Sequence, residues 1–167
     1  MSLNFKDINS NKYYQIKSVV NNKYIRFYSL NTKYVNASGN DNVFVASSDF
    51  GGSKFRFETC GRLISTMFMY CEGHEFYDNK FYTKDFRMRA TKTNDSHSHG
   101  NLAVLVDNFN SFDELFKVLF NKDGTISLYS WGLQRWISAP NGGKSALKAS
   151  SARIGKAEKF RLVEVTN

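Results

Sequence analysis

Short stretches in which apolar and polar residues alternate recur along the chain. Four of them contain an apolar, polar, apolar triplet: Tyr14-Gln15-Ile16, Phe55-Arg56-Phe57, Phe116-Lys117-Val118 and Phe160-Arg161-Leu162. A period of two residues is typical of a strand with one buried face. The triplets start at residues 14, 55, 116 and 160, which are 41, 61 and 44 residues apart. This spacing predicts three repeats, the second carrying an insertion of roughly 18 residues.

Further strand-like segments follow each triplet in a similar order. They are Tyr24–Ser29 and Thr125–Ser130, then Lys33–Ala37, Lys80–Thr83 and Arg135–Ala139, then Val43–Ala46, Phe86–Ala90 and Ala146–Ala149. Asn and Gly, which tolerate the backbone of tight turns, separate many of these segments. Four strands in each repeat predict about twelve strands in total. The repeats are placed at approximately 13–54, 55–115 and 116–165, with the insertion at 94–111.

The fold class predicted from this pattern is all-β. No apolar segment with a period of 3.6 residues is long enough to serve as the helical crossover of a parallel sheet. Three four-stranded units that close on one another would bury their apolar faces without leaving open sheet edges. Within the insertion, Leu102–Val106 is apolar, and we interpret it as an extra strand packed on the barrel, with a partner-binding patch as the alternative.

The repeated segments resemble the β-trefoil superfamily, most closely its fascin-like (actin-crosslinking-like) and fibroblast-growth-factor-like branches. The resemblance rests on Lys33–Ala37, Asp123–Leu128 and Glu158–Phe160, and it extends over residues 13 to 165. It implies three pseudo-symmetric units in a single β-trefoil domain, residues 1–167. Because trefoils include actin bundlers, lectins, protease inhibitors and cytokines, the fold does not by itself decide the function.

The composition fits one soluble globular domain. The chain has 167 residues, 41% of them hydrophobic and 23% charged, and this length can bury a core without disulfides. Its longest apolar runs are too short to span a bilayer, and residues 1–14 contain no secretory signal. We therefore expect a cytoplasmic protein, or a secreted one if a signal has been removed. Cys60 and Cys71 are interpreted as thiols, with a disulfide as the alternative.

Motifs that resemble catalytic or metal sites are better explained structurally. His74–Asp78 begins like a zinc-protease helix, but its fifth residue is Asp and its interior favours a helix poorly. His97 and His99 could share a metal only if a third ligand, such as Asp95 or Asp107, folded back, and we interpret them as part of a mobile surface loop. Gly51–Lys54 is interpreted as a turn rather than a phosphate loop. Since no carboxylate pair or Ser, His and Asp set recurs in register, we predict no enzyme, no cofactor and no metal site.

The charge of the chain indicates a class of partner. Twenty-three Lys and Arg against fifteen Asp and Glu give a formal net charge of +8, which favours a polyanionic partner, although solubility alone would also explain it. The densest basic cluster, which the spacing predicts on one rim, consists of Lys144, Lys148, Arg153, Lys156 and Lys159. The growth-factor resemblance implies a sulfated-glycan site in these turns, opposed by the charge of Glu158. A solvated charged surface is the alternative, and no specific nucleic-acid signal is present.

The two tryptophans complete the candidate site. Trp131 lies beside a turn, where its indole could either stack on a sugar ring or cover the base of the barrel. Trp136 occupies a position that is aromatic in every repeat, and we predict that it supports the core. Trp131 and the basic cluster together predict a non-catalytic module that binds a polysaccharide or glycan, in particular an anionic one. The alternative is a fascin-like domain that interacts with filamentous actin.

Overall fold

The structure is a computed structural model that describes residues 8–29, 42–48, 52–59, 66–77, 80–90, 103–106, 114–144 and 147–165. The strands in these ranges are β1 (Tyr14–Ser18), β2 (Tyr24–Ser29), β3 (Asn42–Ser48), β4 (Phe55–Thr59), β5 (Thr66–Tyr77), β6 (Lys80–Ala90), β7 (Ala103–Val106), β8 (Leu115–Phe120), β9 (Ile126–Ser130), β10 (Arg135–Ser138), β11 (Lys148–Ser151) and β12 (Phe160–Glu164). Two short 3₁₀ helices, Asn141–Gly143 and Lys156–Glu158, accompany them. The described residues contain no helix that could cross a membrane. The all-β prediction is confirmed.

Six of the strands form a closed antiparallel ring. Hydrogen bonds run from β1 to β4, then through β5, β8 and β9 to β12, and β12 returns to β1. The closing pair is one of the longest in register, from Tyr14 opposite Glu164 to Ser18 opposite Phe160. The ring therefore joins the first strand to the last, and it leaves no unpaired ring edge.

The other six strands pair as three two-stranded units, β2 with β3, β6 with β7 and β10 with β11. Each pair lies between two ring strands in chain order, so the strands group as β1–β4, β5–β8 and β9–β12. The predicted three units of four strands are thus present. The repeats drawn from the sequence start at β4 and β8, one strand earlier than this grouping, because the recurring triplet marks ring strands from both ends of a unit.

Alternate apolar side chains of the ring strands point inward and form one core. Its members from the four triplets are Tyr14, Ile16, Phe55, Phe57, Phe116, Val118 and Phe160, and Leu162 packs against them half-buried. The middle residue of each triplet is more exposed than its neighbours, as a period of two requires. The two-stranded units contribute Ile25, Met88 and Ile137. Ala90 and Ala149, the last residues of two of the predicted strand-like segments, are also buried in this core.

The middle of the chain differs most from the sequence analysis. β6 is one continuous strand where two segments were predicted, and β7 lies inside the predicted insertion, 94–111. β7 pairs with β6 and also with β3, which agrees with the strand interpretation of this apolar stretch. His74 and Glu75 lie in β5, an extended strand that cannot present the helical face of a zinc protease. Cys60, His97 and His99 lie outside the described residues, and Cys71 is in the buried core.

We expect Phe116→Ala to lower the free energy of unfolding by about 3–5 kcal/mol, because the phenyl group of Phe116 is fully buried and its removal leaves a cavity. Lys117→Ala, on the opposite face of the same strand, should change it by less than about 0.5 kcal/mol. Urea denaturation followed by circular dichroism measures both values. Equal effects of the two substitutions would contradict the assigned direction of the β8 side chains.

Candidate functional site

The most basic part of the described chain connects β10 to β12. Between Ala139 and Ala157 the sequence contains four basic residues and no acidic residue. The first turn of this connection packs tightly against Asn21. Gly143 has a φ of +85°, and a Cβ placed on it would lie 2.3 Å from the Asn21 side-chain nitrogen. Glycine is therefore required at this position by both backbone conformation and space. The turn presents Lys144, which is exposed.

Three of the predicted basic residues group around the C-terminal end of β10. Lys148 begins β11 directly opposite Ser138. Lys156 begins the second 3₁₀ helix, whose next residue, Ala157, accepts a hydrogen bond from the backbone N–H of Ala139 at 2.9 Å. Lys144 lies in the turn that follows β10. We call Lys144, Lys148 and Lys156 the lysine group, and no carboxylate lies within ion-pair distance of them among the residues that the structure describes.

Arg153 lies apart from the lysine group. It follows β11, whose last residue, Ser151, is opposite Trp136 near the start of β10. The Ser151 hydroxyl donates to the Arg153 carbonyl oxygen at 2.7 Å and fixes this turn. The guanidinium group belongs to the exposed surface at the other end of the β10–β11 pair. The predicted single rim is therefore divided.

Lys159 is already paired within the protein. Its Nζ donates to Asp123 Oδ2 at 2.8 Å, and Asp123 lies 36 residues earlier in the turn between β8 and β9. The Thr125 hydroxyl and backbone N–H also donate to this carboxylate, at 2.6 and 3.1 Å. Lys159 first, and then Thr125, hold the pKa of Asp123 well below its ordinary value. Much of the positive charge of Lys159 is consequently compensated before any ligand arrives.

Glu158 acts on the backbone rather than as an exposed opposing charge. It is buried, and its carboxylate accepts the Ser138 hydroxyl at 2.6 Å and the Gly155 backbone N–H at 2.9 Å. These two bonds join β10 to the second 3₁₀ helix. They place Lys156 beside the C-terminal end of β10, where the other two lysines lie.

Trp131 has the exposed indole that sugar stacking requires. Its residue is 38% exposed, the largest exposure of a bulky hydrophobic residue in the described chain. The indole Nε1 donates to Thr66 Oγ1 at 3.2 Å, and the backbone N–H donates to the Leu115 carbonyl at 3.1 Å. The indole is thus fixed in orientation, with a ring surface rather than its N–H offered to solvent.

The prediction that Trp136 supports the core is wrong. Ile137 takes the inward position on β10, so Trp136 lies on the other face, half-buried and outside the core. Its ring packs on Tyr129 with centroids 5.0 Å apart, and Tyr129 contacts Trp131 at 6.0 Å. Trp136 therefore supports a surface aromatic cluster. An aromatic residue in each repeat did not distinguish between inward and outward positions.

Comparison with known proteins identifies the architecture. No protein-family model and no curated protein matches the sequence. Among solved structures, the designed threefold-symmetric protein ThreeFoil matches with a TM-score of 0.66 at 14% identity, covering 92% of this chain and 99% of its own. The BEL β-trefoil matches with a TM-score of 0.64 at 10% identity, covering 98% and 100%. This chain has a β-trefoil fold.

A third trefoil-like match is a lectin. The Polyporus squamosus lectin, solved with the epitope Neu5Aca2-6Galb1-4GlcNAc, has a TM-score of 0.62 at 12% identity, and the match covers 95% of this chain and 50% of the lectin. These structural matches, at identities of 10–14%, show the trefoil architecture and do not select its fascin-like or growth-factor-like branch.

The trefoil ring explains which neighbours the sequence did not reveal. Lys117 is the middle residue of a triplet, so its outward direction was predictable. Tyr129 is opposite Lys117 on the next ring strand, and Thr66 is opposite it on the other side. Thr66 and Trp131 are 65 residues apart, and no local pattern links them.

We expect Lys159→Met to raise the pKa of Asp123 towards its ordinary value of about 3.9, because the largest source of the lowering is removed. A carboxyl group whose pKa is lowered by folding stabilises the folded state at pH values above its ordinary pKa. This stabilisation is lost as the pH falls below that pKa. The wild type should therefore lose this contribution below about pH 4. Carboxyl ¹³C NMR titration measures the pKa.

Lys156→Met removes a charge without contacting Asp123 and serves as the control for that titration. It should leave the Asp123 titration unchanged. If Asp123 had the same pKa in Lys159→Met and in wild type, the Lys159–Asp123 ion pair would not form in solution.

Proposed function

We propose that this chain is a non-catalytic carbohydrate-binding module and that its ligand is an anionic polysaccharide. The observation that carries the proposal is the lysine group: Lys144, Lys148 and Lys156 meet at one end of β10 without a carboxylate partner in the described part of the chain. Several neighbouring ammonium groups suit a repeating line of sulfate or carboxylate groups. Arg153 lies at the other end of the β10–β11 pair and Lys159 has its charge partly compensated by Asp123, so the lysine group carries the proposal without them.

The acidic residues support this proposal by their positions. Of the described carboxylates, three are exposed and paired: Glu58 with Arg56, Asp123 with Lys159 and Glu164 with Lys12. Glu114 and Glu158 are buried. These five carboxylates therefore do not oppose the lysine group directly.

The same positions support a binding role rather than catalysis. A general acid and base need two titratable groups that face a common substrate. The five carboxylates whose side chains the structure describes are instead occupied by ion pairs or buried hydrogen bonds, and the described residues contain no cluster of three or more metal-ligating side chains. The Polyporus squamosus lectin, which is similar in fold over half of its length, was solved bound to a glycan epitope that contains a Neu5Ac unit.

Filamentous actin remains the second candidate partner because of the fascin-like sequence resemblance. Lys33–Ala37, on which this resemblance partly rests, lies outside the described residues. A co-sedimentation assay with filamentous actin tests it directly. Sedimentation of the chain with actin at physiological salt, together with no retention on any glycan, would favour this alternative.

We expect the double variant Lys148→Ala and Lys156→Ala to elute from a heparin column at lower salt than wild type. Exposed ion pairs contribute at most about 1 kcal/mol each, so the affinity must come from several contacts and should fall steeply with salt. The urea midpoint should change little because Lys156 is exposed and Lys148 lies at a strand end.

The matched control is Lys54→Ala with Lys122→Ala. Both residues are exposed, and the pair removes the same net charge from other parts of the surface. If both double variants shift elution equally, retention reflects net charge alone. If the lysine-group variant elutes with wild type, these residues do not bind the polysaccharide.

A further inference from the structure

A second surface, separate from the lysine group, lies on the outer face of the ring. Lys117 on β8 is exposed and stands opposite Tyr129 on β9. On its other side Lys117 stands opposite Thr66 on β5. Because directly opposed side chains on one face of a sheet lie about 5 Å apart, Lys117 is an immediate neighbour of both residues.

The Trp131 indole passes close to the same lysine. Its backbone is bonded to Leu115, two residues before Lys117 on β8, and its Nε1 reaches Thr66 on the far side of that strand. The indole must therefore cross β8 next to Lys117. The Lys117 side chain thus leaves the sheet between Tyr129 on β9 and the Trp131 indole.

The aromatic side chains of Tyr129 and Trp131 meet nearly at a right angle and form a corner. The Tyr129 and Trp131 planes are inclined by 83° with centroids 6.0 Å apart. Trp136 packs against Tyr129 at 61°, and Thr66 holds the indole of Trp131. Both walls of the corner are therefore oriented before any ligand binds, which lowers the entropy cost of binding.

The charge at this corner has no internal partner in the described part of the chain. Glu114, which directly precedes β8, is fully buried and lies 3.6 Å from the Arg87 guanidinium. Lys117 itself shows neither an ion pair nor a hydrogen bond there. An oriented aromatic corner with an uncompensated cation is complementary to a ligand that combines an apolar ring face with a negative charge.

We infer that this corner, formed by Lys117, Tyr129 and Trp131, binds a hexuronic acid unit of the polysaccharide. The C–H face of the pyranose ring lies against the Trp131 indole, the ring edge meets Tyr129, and the carboxylate pairs with the Lys117 ammonium. The inference rests on the proposed function and adds a second subsite and a sugar class to it. A neutral hexose would use the rings but not the lysine, and a sulfated ring-free anion would use the lysine but not the rings.

The test uses unsulfated oligogalacturonate and, as a control ligand, the same oligomer with its carboxyls methyl-esterified. Affinity is measured by isothermal titration calorimetry, and the indole N–H signals of Trp131 and Trp136 are followed by NMR. We expect the free acid to bind more tightly than the ester and to shift the Trp131 signal. Equal affinity of the two oligomers, or an unmoved Trp131 signal at saturation, would overturn the inference.

Substitutions separate the two parts of the corner. Lys117→Met should lower the affinity for the free acid on the order of threefold to fivefold, as expected for an exposed ion pair, and should leave the ester unaffected. Lys117→Arg should restore most of that loss. Lys122→Met, which removes an exposed lysine in the following turn, is the matched charge control and should bind like wild type. A loss that Lys122→Met reproduces would overturn the role of Lys117.

Trp131→Ala should weaken both oligomers, by roughly tenfold, because the stacking wall is lost. Its urea midpoint is compared with wild type, since Thr66 loses a hydrogen bond, and Trp131→Phe provides a milder variant that keeps a ring. Undiminished binding by both Trp131 variants would overturn the stacking role.

The outcomes distinguish the inference from the proposed function. Retention on heparin with no binding of oligogalacturonate overturns the corner alone. Failure to bind either polysaccharide overturns the proposed function and the inference that rests on it.

Discussion

Pairing between the first and last ring strands is the contact on which the rest of the structure depends. Five residue pairs join β1 to β12, and they convert an open sheet into a closed ring. Closure allows the inward residues of all six ring strands to share one core, and it fixes which side chains face outward. Within this ring the β8–β9 register places Lys117 opposite Tyr129 on the outer face, and a shift of one residue would turn the side chains of a strand to the opposite face.

The sequence predicted the ring strands β4 and β8 better than the long strands β5 and β6 or the boundaries of the three four-stranded units. Strands such as β4 and β8 have strong apolar alternation and short length, so both their type and their inward residues were evident. β5 and β6 were poorly predicted, since polar residues such as His74 and Asp85 interrupt the apolar pattern of two long strands. The alternation is also the same in every ring strand, so it gives the spacing of repeats without showing where a unit begins.

For the candidate site, the sequence indicated which residues carry charge but not how that charge is used. Lys159 and Lys156 look equivalent in the sequence, yet only Lys159 meets Asp123 across a separation of 36 residues. Glu158 looks like an opposing charge and is instead a buried acceptor for Ser138. Such pairings follow from ring closure, which brings distant turns together, and local patterns contain no information about them.

The two basic surfaces have a geometric consequence for the ligand. The aromatic corner lies beside the start of β10, where Tyr129 is opposite Trp136. The lysine group lies at the C-terminal end of the same strand. Four extended residues span roughly 10–13 Å. A single sugar ring cannot contact both surfaces, whereas one polysaccharide chain can, and the second contact then forms at a high effective concentration. Weak exposed contacts at each end would thereby combine into selective binding of polymers over monosaccharides.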